Sequence, residues 1–238
     1  MTDPHIVERY QEFAEKTFGF RFKNVDLLLT AFTHRSYVNE HRSTAKVHNE
    51  RLEFLGDAVL ELAVTEYLYV NYADPEGVLT SWRAALVRTE SISAAANKMG
   101  FEDMLRLSRG ERRGSDRAKH QILANSFEAV TGAIYLDQGY KVAEKFITDH
   151  ILATFDEILR TGSWRDPKSH LQEVAQNVEG VTPSYKVLEE TGPDHDKTFT
   201  LGVFVSGKLK GKGTGPSKQA AQQKAAENAL EQYEVAGD

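Results

Sequence analysis

Glu50, Glu53, Asp57 and Glu61 are spaced by three and four residues in the stretch HNERLEFLGDAVLELAVTEYL. On a helix those spacings put all four acids along one face. The other residues from Leu52 to Leu62 are Leu, Phe, Leu, Gly, Ala, Val, Leu and Leu. A helix with so little polar surface does not read as an exterior one, so Glu53 and Asp57 are expected in partly buried surroundings. Close carboxylates in such surroundings repel and lose hydration, and either one stays protonated or both need a cation. Gly56 costs ~1 kcal/mol of helix propensity relative to alanine, which the close approach of a second helix would explain.

A second acidic stretch, QILANSFEAVTGAIYLD, spans 121–137. Asn125 and Glu128 share a face there, among Ile122, Leu123, Phe127, Val130 and Ile134, and Gly132 again permits close packing. One reading is a cluster of Glu53, Asp57, Asn125 and Glu128 between the two helices. The other is a structural acid pair with a solvated flank. All-oxygen ligation without cysteine would suit a hard cation, Mg²⁺ or Mn²⁺. Such a site serves phosphate displacement, because the ion acidifies bound water and offsets phosphate charge.

The third chemical feature is basic. Between Lys197 and Lys224 there are six lysines (197, 208, 210, 212, 218 and 224) and no acid, although 166–238 as a whole holds eight lysines against eleven acids. Lys208, Lys210 and Lys212 alternate and are expected to share one strand face. Lys218 opens a helix whose amides also attract phosphate. A solvated lysine edge that blocks strand pairing is the alternative. No row of surface aromatics suggests single-strand stacking, so phosphate tracking along a duplex fits better.

The elements that carry these residues fall into two groups. Residues 1–160 read as almost wholly helical, with apolar segments at Leu27–Phe32, Glu50–Val70, Leu79–Lys98, Ile122–Leu136 and Ala143–Leu159. Gly100 suits a helix C-terminus, and the polar, basic stretch 107–121 reads as a surface loop. TGSWRDP marks a linker at 161–166. From 167 to 236 the order is helix, three antiparallel strands and helix. Pro167 opens the first helix, with Leu171, Val174 and Ala175 facing inward. Phe199, Leu201, Val203 and Val205 alternate, Ser206-Gly207 forms a two-residue turn, and Ser217 caps the last helix. The fold class is thus an all-α domain followed by a small α+β (α-β-β-β-α) domain.

Composition sets outer bounds. The 238 residues carry 40% hydrophobic and 27% charged side chains, a net charge of −6 and no cysteine. Disulfide and thiolate chemistry are excluded, and a reducing compartment is compatible. The N-terminus MTDPHIVERYQEF has no apolar core of a secretory signal, and no apolar run reaches the ~20 residues that span a bilayer.

HNERLEFLGDAVLELA resembles the signature of the ribonuclease III family, and AFTHRSYVNE, LTSWRAALV and ILANSFEAVTGAIYLDQG are similar to its other conserved blocks. LQEVAQ, the GPDH loop and GPSKQAAQQKAA resemble a double-stranded RNA-binding domain. The resemblance covers essentially the whole chain. It implies a Mg²⁺-dependent endonuclease, with Mn²⁺ able to substitute, that cuts double-stranded RNA to leave 5′-phosphate and 3′-hydroxyl ends. It implies processing of structured precursors such as rRNA, in the cytoplasm, with no membrane or small-molecule partner. It further implies a homodimer formed through the signature helix, with Phe54 and Leu55 partly facing the partner. By motif, Glu53, Asn125 and Glu128 correspond to metal positions, Asp57 and Glu128 to catalytic ones, and Glu50 to an acid lining the valley. RNA contacts would come from Gln172 and Glu173 in the first helix, Pro193 and His195 in the loop, and Lys218, Gln219 and Lys224 in the last helix. They would read A-form shape more than sequence. Two departures stand out. Asn125 occupies a position where the family usually carries Asp, and Gln219 and Gln222 replace common lysines. A non-cleaving duplex binder disabled by Asn125 is the competing reading. His34 reads as structural.

Overall fold

Two glycines fix the centre of the first unit. The long helices α4 (Glu50–Asn71) and α8 (Asp116–Gln138) cross where Gly56 faces Gly132. A Cβ built on Gly56 would sit 1.7 Å from the Glu128 carbonyl oxygen, and one on Gly132 would sit 2.4 Å from that of Leu52. The backbones therefore touch, as both sequence stretches led us to expect.

The computed structural model describes residues 3–42, 45–193 and 197–235, and the chain divides into two units, Met1–Trp164 and Arg165–Asp238. The first is all-helical: α1 (Pro4–Phe18), α2 (Val25–Ala31), α3 (Arg35–Glu40), α4, α5 (Glu76–Val87), α6 (Thr89–Lys98), α7 (Phe101–Met104), α8, α9 (Tyr140–His150) and α10 (Phe155–Thr161). α8 is the core helix, with eleven buried positions from Ile122 to Ile134. Phe32, Phe101 and Phe127 are wholly buried beside it, and rings of Phe13, Phe18, Phe32 and Phe101 meet edge to face at 5.0–6.3 Å, the favoured aromatic geometry. Ser115 caps the start of α8 by accepting from the Ala118 amide at 3.3 Å. At its other end Asp137 accepts from the Lys23 and Asn24 amides at 2.9 and 2.8 Å, which pins α8 to the entry of α2.

Three segments depart from the sequence reading. Leu79–Lys98 is two helices, because Arg88 is extended (φ −66°, ψ 152°) and ends α5 before α6 begins. Trp82, Ala85, Leu86, Ile92 and Ala96 all bury in one core, so the apolar spacing runs on across a break that it cannot register. Ala143–Leu159 is likewise broken, by a 3₁₀ turn at Leu152–Thr154. The expected loop 107–121 holds a 3₁₀ turn at Glu111–Arg113, and its last six residues already belong to α8.

The segment expected as linker is partly packed onto the first unit. Thr161 ends α10, the Ser163 carbonyl accepts from Arg88, and the Trp164 ring meets Trp82 edge-on at 5.9 Å.

The second unit runs α11 (Pro167–Glu179), β1 (Ser184–Thr191), β2 (Thr198–Val205), β3 (Lys208–Gly215) and α12 (Lys218–Val235), with the antiparallel sheet ordered β1-β2-β3. Leu171 and Ala175 bury from α11, Leu201, Val203 and Val205 from β2, and Ala221, Ala225, Ala226 and Ala229 from α12. Asp166 caps α11 from the Ser169 amide, and Ser217 caps α12 from the Ala220 amide. Ser206 and Gly207 both take positive φ (51° and 77°), as a tight hairpin turn requires.

β3 corrects the expected lysine face. Its period-two feature is glycine: a Cβ on Gly211 or Gly213 would lie 2.3 or 2.2 Å from α12 backbone at Ala225. A bulge at Lys210, between pairs Val203↔Gly211 and Phe204↔Leu209, then breaks the alternation. Lys210 turns to Glu179 at 2.9 Å and over the Tyr233 ring, while Lys212 lies on the side away from Gly211 and Gly213. The three lysines share no face.

Candidate functional site

Glu53 comes from the first turn of α4, Asp57 from the next turn, and Glu128 from the turn of α8 that Gly56 packs against. The glycine contact is thus what brings acids from two helices together. Glu128 is half-buried and its carboxyl is pushed up to about 8, first by burial, then by the charges of Asp57 and Glu53. Glu53 is also raised, by burial, then by Glu50 and Asp57, while a hydrogen bond from Asn125 opposes the shift. Burial of a carboxyl among like charges has this effect because it penalises the ionised form twice.

The charges of Glu53, Asp57 and Glu128 therefore act on one another across the two helices. Asp57 differs from expectation in being exposed. It flanks the buried stripe of Leu52, Gly56, Val59 and Leu60 instead of belonging to it. Among the described residues no three His, Asp or Glu side chains converge at ligating distance.

Glu50 is exposed beside Arg35 and His48, each at 3.8 Å. Glu61, the last acid of the column, pairs with Arg83 at 2.9 Å and faces α5. His34 caps α3 through its Nδ1, which meets the Ser36 hydroxyl at 2.8 Å, so its role is structural here. Gln121 escaped the sequence reading. Its Nε2 donates to Asn125 Oδ1 at 2.7 Å, and the i, i+4 spacing was the available signal.

The side of α4 turned away from Gly56 carries exposed Phe54 (81%), Leu62 (56%) and Tyr69 (79%), and Val70 (71%) is exposed in the last turn. Leu55, grouped with Phe54 by the resemblance, is only partly exposed. An apolar stripe of that size on a single chain marks an interaction surface. The helix is apolar nearly all round because one side packs the core and another lies open.

In the second unit Gln172 and Glu173 are exposed on α11, and Lys218, Gln219 and Lys224 are exposed on α12. Gln172 and Gln219 line one cleft of about 260 Å³ together with Asp166, Lys168, Ser169, Pro183, Tyr185 and Gln223. Lys168, which the sequence reading did not single out, donates to Gln222 at 2.7 Å and lies over the Tyr185 ring. Lys218 lies over the Phe199 ring, and Lys224 pairs with Glu227 at 2.9 Å. Lys197 pairs with Glu190 at 2.8 Å. The basic run is therefore partly neutralised by acids outside it. Pro193 is exposed at the strand end, and His195 lies outside the described residues.

No helix among the described residues is long and apolar enough to cross a membrane. Comparison with known proteins matches this arrangement closely. A family profile described as Ribonuclease-III-like matches residues 24–155, and one described as Double-stranded RNA binding motif matches residues 167–233. The chain is 44% identical to Ribonuclease 3 of Desulforamulus reducens over 92% of its length and 89% of the relative's. It is 46% identical to Ribonuclease 3 of Enterococcus faecalis over 91% of its length and 94% of the relative's. The nuclease domain of ribonuclease III from Campylobacter jejuni superposes with a TM-score of 0.52 at 38% identity, covering 58% of this chain and 96% of that domain. With acids on two packed helices and a duplex-binding fold following in sequence, the chain belongs to the ribonuclease III family, the divalent-metal-dependent endoribonucleases of double-stranded RNA.

Proposed function

We propose that Glu53, Asp57 and Glu128 form a Mg²⁺-dependent cleavage centre, with Mn²⁺ able to replace Mg²⁺, that hydrolyses duplex RNA to 5′-phosphate and 3′-hydroxyl ends. The observation that carries the assignment is Glu128, a half-buried carboxyl held up to about 8 between Asp57 and Glu53. Such a donor set is electrostatically unfavourable alone and fits a hard divalent ion. When bound, that ion would acidify water and offset phosphate charge. Glu53 and Glu128 would hold it, and Asn125 adjoins them. Asp57, on the open rim, is assigned to the hydrolytic step, and Glu50 to the wall of the RNA valley.

The exposed Phe54, Leu62, Tyr69 and Val70 support a homodimer through α4, with one cleavage centre per subunit. The nuclease domain from Campylobacter jejuni is itself described as having a region involved in dimer formation. Gln172, Glu173, Pro193, His195, Lys218, Gln219 and Lys224 are assigned to RNA, by minor-groove contacts and phosphate bridging. We assign 1–160 to the nuclease domain, 161–166 to the linker and 167–236 to the RNA-binding domain. Structured precursors such as rRNA in the cytoplasm are the proposed substrates. The experiment is incubation of a long RNA duplex with the purified chain and Mg²⁺. Glu128→Ala should abolish cleavage and leave duplex binding within about twofold. Retained cutting by that variant would overturn the assignment, and binding without cutting by the unaltered chain would favour a disabled centre.

A further inference from the structure

Thr161 to Trp164 close the first unit, and contacts hold them against it. Gly162 takes φ 65° and donates its amide to the Leu159 carbonyl at 3.2 Å, which ends α10 in the left-handed conformation that glycine favours. The Thr161 and Ser163 hydroxyls meet at 3.1 Å. Arg88 reaches this segment from the break between α5 and α6. Its Nε donates to Ser91 Oγ and its Nη1 to the Ser163 carbonyl, both at 3.4 Å. The Trp164 ring lies edge-on to Trp82 at 5.9 Å, and buried Trp82 meets Tyr72 and Phe155 at 5.3 and 5.4 Å. Aromatic rings attract one another in this edge-to-face geometry.

Beyond Trp164 the chain is engaged by the second unit. Arg165 Nη1 meets His170 Nε2 at 3.1 Å, and Asp166 Oδ1 accepts from the Ser169 amide and hydroxyl at 2.9 Å. The stretch 161–166 thus divides between Trp164 and Arg165.

We propose that Trp164 and Arg88 strap residues 161–164 onto the nuclease unit and so shorten the tether of the RNA-binding domain to Arg165 and Asp166. Releasing the strap would add Gly162, Ser163 and Trp164, about 10 Å of extended chain at ~3.3–3.6 Å per residue. When one unit already holds a duplex, the other meets it at an effective concentration that falls roughly as the −3/2 power of tether length. Going from about two tether residues to about five lowers that concentration roughly fourfold. The strap keeps a duplex held by one unit within reach of the other.

Trp164→Ala, Trp164→Phe and Arg88→Met are compared with the unaltered full chain. Brief trypsin treatment followed by mass spectrometry reads the fragments that end at Arg160 and Arg165. Trp164→Ala should release them about tenfold faster, because cleavage tracks the population of the opened segment. Trp164→Phe keeps a ring against Trp82 and should stay within about twofold of the parent. In duplex cleavage with Mg²⁺, Trp164→Ala should raise KM about fourfold with kcat within about twofold, and Trp164→Phe should restore the parental KM. Arg88→Met loosens the same segment from the other side and should move both readouts in the same direction. Unchanged fragment release in either Trp164→Ala or Arg88→Met would overturn the strap. Faster release with an unchanged KM would overturn its control of the tether. A fall in kcat at constant KM would make Trp164 a support of the nuclease core and equally overturn the proposal. The trypsin readout needs no catalysis, so failure of the cleavage centre and failure of the strap are told apart.

Discussion

Gly56→Ala tests whether the helix crossing and the chemistry depend on the same contact. The added Cβ would fall 1.7 Å from the Glu128 carbonyl oxygen, 2.6 Å from its carbonyl carbon and 2.8 Å from the Gly132 nitrogen. Carbon–oxygen contacts normally lie at about 3.3–3.6 Å, so the gap is short by more than about 1.5 Å. All three atoms are backbone, and no rotamer can move them. α8 must shift away from α4. Overpacking of this kind costs about 1–3 kcal/mol and occasionally more. Alanine recovers ~1 kcal/mol of helix propensity over glycine. Because both sides are rigid, the cost should lie at the top of that range, a net of about 2 kcal/mol, which for a unit of this size lowers Tm by roughly 4–8 °C. The same shift carries Glu128 away from Glu53 and Asp57. A misplacement of ~1 Å can cost ~100-fold in rate, so cleavage should fall about that much at a temperature where both proteins are folded. Gly77→Ala is the control, since a Cβ there meets nothing within 4 Å. Differential scanning calorimetry and a duplex-cleavage time course give both readouts. A Gly56→Ala protein that melts within about 2 °C of the parent and cuts at its rate would refute the close-approach argument.

Three further outcomes follow from the site. In metal-free buffer, Glu128 keeps its proton up to about 8 in the folded chain but loses it near its ordinary value when unfolded. The folded state then binds more protons between those pH values, and stability falls as pH rises through that window; Glu128→Gln should flatten the slope of Tm against pH, and parallel slopes would contradict the burial of that carboxyl. Asn125→Asp adds a charge beside Glu53. After discounting for partial exposure, it should lower the metal-free Tm and reduce the Mg²⁺ needed for half-maximal cleavage by about five- to tenfold, the effect of roughly 1 kcal/mol, and an unchanged Mg²⁺ requirement would refute the charge argument. Lys218→Ala should weaken duplex binding across sequences and reduce the salt slope by about one, with filter binding at several salt concentrations as the measure; an unaltered slope would remove Lys218 from the phosphate contacts.

The acids, the glycines and the two-unit order were legible in the chain, because each rests on a period that short sequence stretches express. Glu53 and Glu128 fall on apolar helices, where a carboxylate is anomalous, and Gly56 and Gly132 fall where a core helix has no other use for glycine. The α-β-β-β-α order was equally plain from the alternation of Leu201, Val203 and Val205 and the turn at Ser206-Gly207. What periodicity carries, a chain can show without its fold.

Tertiary structure decided whatever depends on two segments meeting. Arg88 breaks a helix although the apolar spacing runs on, because both halves bury in one core. The bulge at Lys210 parts three lysines that alternate in sequence, since glycines must face α12 and Lys210 has Glu179 to meet. Asp57 is exposed because α8 covers only one side of the crossing. Residue identity fixed which groups were available; only the packing of α4 on α8 determined the distances and burial that give them their chemistry.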